Sequence, residues 1–453
     1  MTRPARGELF GHPRALAFLF GTEMWERFSY YGMRALLVYY LTDRLLLSGH
    51  AERVAGLGTL KAMFEWFSGP LDVEPFASLI YGSYTSLVYL TPIAGGLLAD
   101  RVLGQRRTVV IGAVLMAIGH FLMAFEALLL PALLFLILGN GAFKPNISTQ
   151  VGELYAEGDP RRDRAFSIFY FGINFGAMLS PWICGTLGEN VGFHYGFAAA
   201  GIGMLIGLAI YLRGLRELPP DELQKEKAAH TEHAPLTPAD LRAIAALLVL
   251  FLPNVLFWAA YEQQGNSIAL WIRDFTDRSV SLFSWQVEIP ASSFQSINPA
   301  MILLFTPFVV AWWGWLAGRG REPATVTKMA IGCFLVAFSY LVLAFVALHT
   351  SETAKSAWLW LLVYFAILTV GELYLSPVGL SLVSKVAPQR LLSLMMGVWL
   401  ATSFLGNFIA GWLGSFWKGM DKPAFFVMIA GVAALAGLCI AILNKPLRKT
   451  LQH

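Results

Sequence analysis

The sequence predicts an all-α membrane protein of twelve spanning helices, grouped in two six-helix halves, with both termini on the cytoplasmic side. Three observations carry that prediction. The 453 residues are 57% apolar and only 14% charged, with a mean hydropathy of +0.59, a balance that fits a polytopic membrane protein and not a chain of soluble domains. Apolar stretches of spanning length recur on both sides of a charged, proline-containing segment at 214–240, six before it and six after. Basic residues crowd into alternate loops, as the positive-inside rule requires of cytoplasmic ones.

In the first half (residues 1–213) the stretches fall at about 15–42, 78–99, 108–126, 128–148, 165–187 and 194–213. In the second (241–453) they fall at about 241–266, 298–317, 327–348, 357–384, 391–416 and 423–444. The loops of one side hold Arg3, Arg6, Arg14, Arg101, Arg106, Arg107, Arg161, Arg162 and Arg164, then Arg213, Arg216, Lys225, Lys227, Arg242, Arg319, Arg321, Lys328, Lys385, Arg390, Lys445, Arg448 and Lys449. The other side holds only Arg44, Arg53, Lys61, Arg273, Arg278, Lys355, Lys418 and Lys422. Both termini are therefore assigned to the cytoplasm. No cleavable signal peptide is read in the basic N-terminal segment, which runs straight into the first helix. Residues 214–240 form a cytoplasmic linker with no room for further spanning helices, and Thr237, Pro238 and Asp240 mark where the next helix starts. A weak repeat relates GGLLADRVLGQRR (95–107) to GWLAGRGRE (314–322).

The first stretch is an energetic anomaly. GTEMWERFSYYGMRALLVYYLT (21–42) contains Glu23, Glu26, Arg27 and Arg34. On insertion scales each such charge costs roughly 2.5–3.5 kcal/mol at mid-bilayer, while a Leu or Phe returns only about 0.3–0.6. The charges must pair or face a wet cavity. Glu23, Glu26, Arg27, Tyr30, Tyr31 and Arg34 fall three and four residues apart, hence on one helical face. Glu23 and Arg27 have the favourable i, i+4 polarity.

Few other ionisable residues lie at membrane depth. Lys144, Glu262 and Glu372 stand in GNGAFKPNIS, FWAAYEQQGNS and VGELYLSP. Three bases (Arg27, Arg34, Lys144) then nearly balance four acids (Glu23, Glu26, Glu262, Glu372), as pairing within a cavity demands. The bases lie in the first half, while Glu262 and Glu372 lie in the second. A cavity between such walls suits a zwitterion, its carboxylate toward Arg27, Arg34 and Lys144 and its ammonium toward Glu372. Pro145 follows Lys144, Pro299 follows Asn298 and Pro377 stands five residues after Glu372; they free backbone groups to line a cavity, although each alone reads as an ordinary kink. His120 reads as a hydrogen-bonded structural residue, and Asp100 with Arg107 as a gate or helix-cap cluster between the second and third helices. Cys184, Cys333 and Cys439 lack metal-site or disulfide spacing. No phosphate loop, HExxH or nucleophile elbow occurs, so neither nucleotide hydrolysis nor any other enzyme activity is expected.

Several of these motifs together resemble one family. EMWERFSYY (23–31) is similar to the ExxERFxYY motif of the proton-dependent oligopeptide transporters, a branch of the major facilitator superfamily. YGSYTSLVYLTPIAGGLLADRVLG (81–104) and FYFGINFG (169–176) resemble that family's two long signatures. GAFKPNIS, FWAAYEQQG, FQSINP, GELYLSPVGLS and GVWLATSFLGN follow in the family's order, so the resemblance spans residues 20–445.

The resemblance implies the major facilitator fold and proton-coupled import of di- and tripeptides across the bacterial inner membrane. It implies that Glu23, Glu26 and Arg27, with Glu262, couple protons, and that Arg34–Glu262 and Lys144–Glu372 are gating pairs. Arg27, Arg34 and Lys144 would meet the peptide carboxylate, Asn174 and Asn298 its backbone, and Glu372 its amino group. Tyr31, Tyr89, Trp258, Ser376 and Trp399 would line the pocket. The partners expected are the peptide, protons and the lipid bilayer, with no nucleic acid and a monomeric chain. No cofactor is expected beyond the proton as coupling ion. Two departures stand out: the linker lacks the two extra helices of many bacterial members, and no histidine lies between His50 and His120 where the mammalian members have a functional one. Coupling should therefore rest on carboxylates. The alternatives are a carrier of another small anion or zwitterion, such as nitrate or an amino acid, and a nutrient receptor built on a transporter fold. The intact ExxER triplet argues against the former, and the short C-terminal tail against the latter.

Overall fold

The computed structural model describes residues 7–156, 159–221, 237–282, 285–351, 353–388 and 391–451. Linker residues 222–236, with Lys225 and Lys227, and the loop arginines Arg3, Arg6 and Arg390 lie outside the described residues. The fold is helical throughout, save for three short two-stranded ribbons. The helices in order are α1 (Arg14–Tyr40), α2 (Leu57–Ser68), α3 (Val73–Leu98), α4 (Gln105–Leu122), α5 (Leu129–Glu153), α6 (Arg161–Ser180), α7 (Thr186–Asn190) and α8 (Phe193–Gly214). After the linker come α9 (Pro238–Tyr261), α10 (Ser267–Phe275), α11 (Ile297–Ala317), α12 (Thr325–Ala347), α13 (Leu359–Val386), α14 (Leu392–Gly414) and α15 (Lys422–Leu451).

Ten helical stretches among the described residues are long and apolar enough to cross a membrane. Two of the twelve anticipated spans, α1 and α4, are not among them. α1 has the length, at 27 residues, but carries its four charges. α4 is short, at 18 residues, and carries Arg106 and Arg107 in its first turn.

Local chemistry explains several boundaries. α9 starts as its sequence predicts: Thr237 Oγ1 accepts from the Asp240 amide at 3.2 Å while the Asp240 carboxylate accepts from the Thr237 amide at 2.8 Å, with Pro238 at the first helical position. This reciprocal box satisfies two otherwise unpaired amides. α9 ends in a tight 3-10 turn at Glu262–Gly265 before the chain resumes as α10. The carbonyl of Ala260, just above that turn, accepts from the Tyr340 hydroxyl at 2.7 Å, and Tyr364 donates in turn to Tyr340 at 3.0 Å. At the start of α4 the capping group is remote in sequence. Gly104 supplies no side chain, and the Asp221 carboxylate accepts from the Arg106 amide at 3.2 Å.

The chain packs as two compact units. One comprises Met1–Gly69, Leu87–Thr231 and Ser292–Pro299; the other comprises Pro70–Ser86, Glu232–Ala291 and Ala300–His453. α3 is thus shared, its first half with the second unit and its remainder with the first. Within the first unit α1 packs on α6 and α8, and α4 on α5 and α8. Within the second, α9 packs on α14 and α15, and α12 on α13 and α15. Counting the six apolar stretches anticipated on each side of the linker, the first meets the fifth and sixth, and the third meets the fourth and sixth, in both sets.

The third-to-fourth crossing is built identically. A Cβ added to Gly112 of α4 would lie 2.7 Å from the Gly139 carbonyl oxygen of α5; one added to Gly332 of α12 would lie 2.6 Å from the Gly371 oxygen of α13. Only glycine permits so close a backbone approach. The next turns match too, with Met116 and Phe143 beside the first crossing and Val336 and Leu375 beside the second.

Candidate functional site

The first unit buries a charged cluster on α1. Glu23, Glu26, Arg27 and Arg34 are 2%, 0%, 4% and 7% exposed. Arg27 Nε lies 3.2 Å from Glu23 Oε1, the i, i+4 pair, and also contacts Glu26 Oε2. Two carboxylates facing one guanidinium leave a buried excess of negative charge. Lys144 of α5 supplies the balance, close enough for its charge to act on both Glu23 and Glu26. Two acids and two bases then form a charge-balanced set, with Glu23, Glu26 and Arg27 buried and Lys144 half-buried, which is how such groups become tolerable away from water. The Lys144 ammonium also sits 4.4 Å from the centre of the Tyr89 ring, a cation–π contact. The Arg27 and Arg34 guanidinium groups lie 5.4 and 5.9 Å from the rings of Tyr30 and Tyr31.

The cluster has one member that the sequence did not single out. Asn140, one helical turn before Lys144, donates from Nδ2 to Glu26 Oε1 at 3.2 Å. Asn140 Oδ1, Glu23 Oε2 and Arg27 Nη2 are buried without a partner. The i, i+4 spacing of Asn140 and Lys144 was visible in the sequence, but an uncharged amide carries no charge to demand a partner. Asn174 is buried on α6 and donates to the Tyr170 carbonyl of its own helix at 3.0 Å. Asn298 is buried at the start of α11. His120 is fully buried with its Nε2 2.5 Å from Ser29 Oγ, the hydrogen-bonded structural arrangement anticipated for it.

The second unit carries the other acids. Glu372 on α13 is half-buried and hydrogen-bonded to the Tyr261 hydroxyl at the end of α9. Glu262 is buried in the turn that ends α9, and its charge reaches Tyr261 and Tyr340. The α9 turn thus brings Glu262, Tyr261 and Glu372 into one polar cluster, backed by the Tyr340–Tyr364 pair. Trp258 stacks edge-on against Phe257 and Tyr261, with its indole nitrogen buried and without a partner. Trp399 is committed to packing, edge-on to Phe251 at 5.5 Å and over Gly379. Ser376 is half-buried on α13. Asp100 and Arg107 are exposed at the turn between α3 and α4, with no ion pair between them among the described residues; the capping work there falls to Asp221.

Comparison with known proteins places these features. A model described as the POT family matches residues 106–231 and 222–428. The chain is 34% identical to a di-/tripeptide transporter of Lactococcus lactis subsp. cremoris, over 97% of each chain. It is 33% identical to the peptide transporter YePEPT of Yersinia enterocolitica subsp. palearctica, over 99% of this chain and 97% of that one. A crystal structure of a POT family transporter in complex with 5-aminolevulinic acid superimposes with a TM-score of 0.82 at 31% identity, over 98% of both chains.

Proposed function

The chain belongs to the POT family, and we propose that it is a proton-coupled symporter importing di- and tripeptides across a bacterial inner membrane by alternating access. The observation that carries this reading is the set of buried Glu23, Glu26 and Arg27 with half-buried Lys144: carboxylates held beside bases in a membrane helix are poised to take up a proton and, in the same place, to release a base for a peptide carboxylate. The relatives' substrates support the peptide assignment. All twelve apolar stretches span the membrane, residues 1–213 and 241–453 form two six-helix halves joined by the linker, both termini are cytoplasmic, and the protein acts as a monomer.

In the cycle, a proton and a peptide enter from outside while Arg34 and Glu262 are apart. The peptide carboxylate is received by Arg27, Arg34 and Lys144, its backbone by Asn174 and Asn298, and its ammonium by Glu372. Tyr31, Tyr89, Trp258, Ser376 and Trp399 shape the surround. Protonation at Glu26 weakens its hold on Arg27. Arg34–Glu262 then seals the outside, and Lys144–Glu372 separates and re-forms as peptide and proton leave.

The test is Glu26→Gln in proteoliposomes. Gradient-driven dialanine uptake should disappear while gradient-free exchange of labelled peptide persists. Loss of both, or of neither, removes Glu26 from coupling.

A further inference from the structure

Asn140 is 1% exposed and is an uncharged side chain bonded to the Glu26 carboxylate. Glu26 Oε2 faces Arg27, so Oε1, the oxygen facing Asn140, is the one free to receive a proton. In the ionised state that oxygen needs a donor, and Asn140 Nδ2 supplies it. A protonated Oε1 would instead need an acceptor, and Asn140 Oδ1 is a buried acceptor with no partner. An amide offers both within nearly the same volume, exchanged by a half-turn about Cβ–Cγ.

The helix crossing supplies a second, independent observation. Asn140 directly follows Gly139, and Glu372 directly follows Gly371, the matched crossing glycines of the two units. Lys144 and Ser376 then stand five residues beyond those glycines, and Pro145 and Pro377 six. The position after the crossing glycine is thus used twice: in the second unit by an acid hydrogen-bonded to Tyr261, in the first by the amide bonded to Glu26. The charges acting on the Glu23–Glu26 pair are Arg27 on α1 and Lys144 on α5, and Tyr31 acts on Arg27.

We propose that Asn140 is a positioning residue for proton coupling, donating to Glu26 when it is ionised and accepting from it when it is protonated, so that neither state leaves the buried carboxyl unpaired. Only one proton moves, on and off Glu26 Oε1, and no other bond changes. The inference deepens the proton-coupling reading and rests on it for its consequence in transport, but its hydrogen-bond content can be measured without transport.

The experiment is infrared difference spectroscopy of the purified protein across pH, with the carboxylic acid band of Glu26 identified by its loss in Glu26→Gln. In Asn140→Leu that band should move to higher wavenumber, because the protonated acid has lost its acceptor. In Asn140→Asp, which keeps the shape but not the donor, the ionised carboxylate bands should shift instead. Gradient-driven dialanine uptake should fall about tenfold in Asn140→Leu, the size of one hydrogen bond to a charged group, with KM for peptide within about twofold of wild type. Bands unmoved in both variants overturn the proposal. So does loss of the folded protein in both, which would make Asn140 a packing residue. Shifted bands with wild-type uptake that ignores the proton gradient leave Asn140 as the partner of Glu26 but overturn the coupling reading.

Discussion

At the scale of single residues, charge was the legible signal. Glu23 and Arg27 announce their pairing by spacing and polarity, and the four charges of α1 announce by cost alone that they require partners. What spacing does not reveal is that Arg27 serves two carboxylates, because Glu26 is adjacent to it in sequence and reaches it only through its rotamer. Uncharged partners were invisible for a related reason: Asn140 and Tyr261 carry no charge whose cost in the membrane demands a counterpart. Glu372 was found by its charge, and its bond to Tyr261 holds it at the polar end of α9. If it receives the peptide amino group, Glu372→Ala should raise KM for dialanine by about 10–100-fold, the range expected for one charge-assisted contact. N-acetylated dialanine, which has no ammonium to offer, should change by less than about twofold. Competition assays against labelled peptide measure both, and equal losses would remove Glu372 from that role.

At the scale of elements, the sequence located helices better than it located their ends and breaks. The Thr237 box was readable because both halves of the motif lie within four residues. The turn at Glu262–Gly265 was not, because what stabilises it comes from elsewhere: Tyr340 on α12 caps the Ala260 carbonyl, and Gln263 donates to the Ala410 carbonyl of α14 at 2.9 Å. The internal repeat is clearer inside the helices than in the loops. The loops at 95–107 and 314–322 differ in structure, one closing on Asp221 and the other on its own backbone. The preserved copy is the glycine crossing inside the helices, where backbone contact tolerates no side chain. Gly332→Val should force α12 and α13 apart and destabilise the protein by about 1–3 kcal/mol, as overpacking does. Gly314→Val in α11, where a Cβ meets nothing within 4 Å, is the matched control. Thermal unfolding in detergent should show a clearly lower midpoint for the first and little change for the second.

At the scale of the whole molecule, hydropathy carries the fold class, and the residues that depart from it mark the candidate site. α1 fails as a spanning helix by composition because its charges are buried against other protein elements and not against lipid: from Glu26 to Tyr40 almost every residue is buried. A helix shielded by α6 and α8 on its flanks need not be apolar, since what must be apolar is the surface that meets acyl chains. Its 27 residues rise about 40 Å at 1.5 Å per residue, more than the roughly 30 Å hydrocarbon core. The 18 residues of α4 rise about 27 Å, a little short of that core, with Arg106 and Arg107 in its first turn. If both cross, the number of spans is even and the loop charges place both termini in the cytoplasm. Green fluorescent protein fused after residue 453 should then fluoresce, and alkaline phosphatase fused there should be inactive. The same reporters inserted after Gly49, in the loop after α1, should give the opposite pair of results. Reversed signals at the C-terminal fusion alone would mean that α4 does not cross, whereas reversal at both fusions would mean that α1 does not, and its charged face would lose its place inside the bilayer.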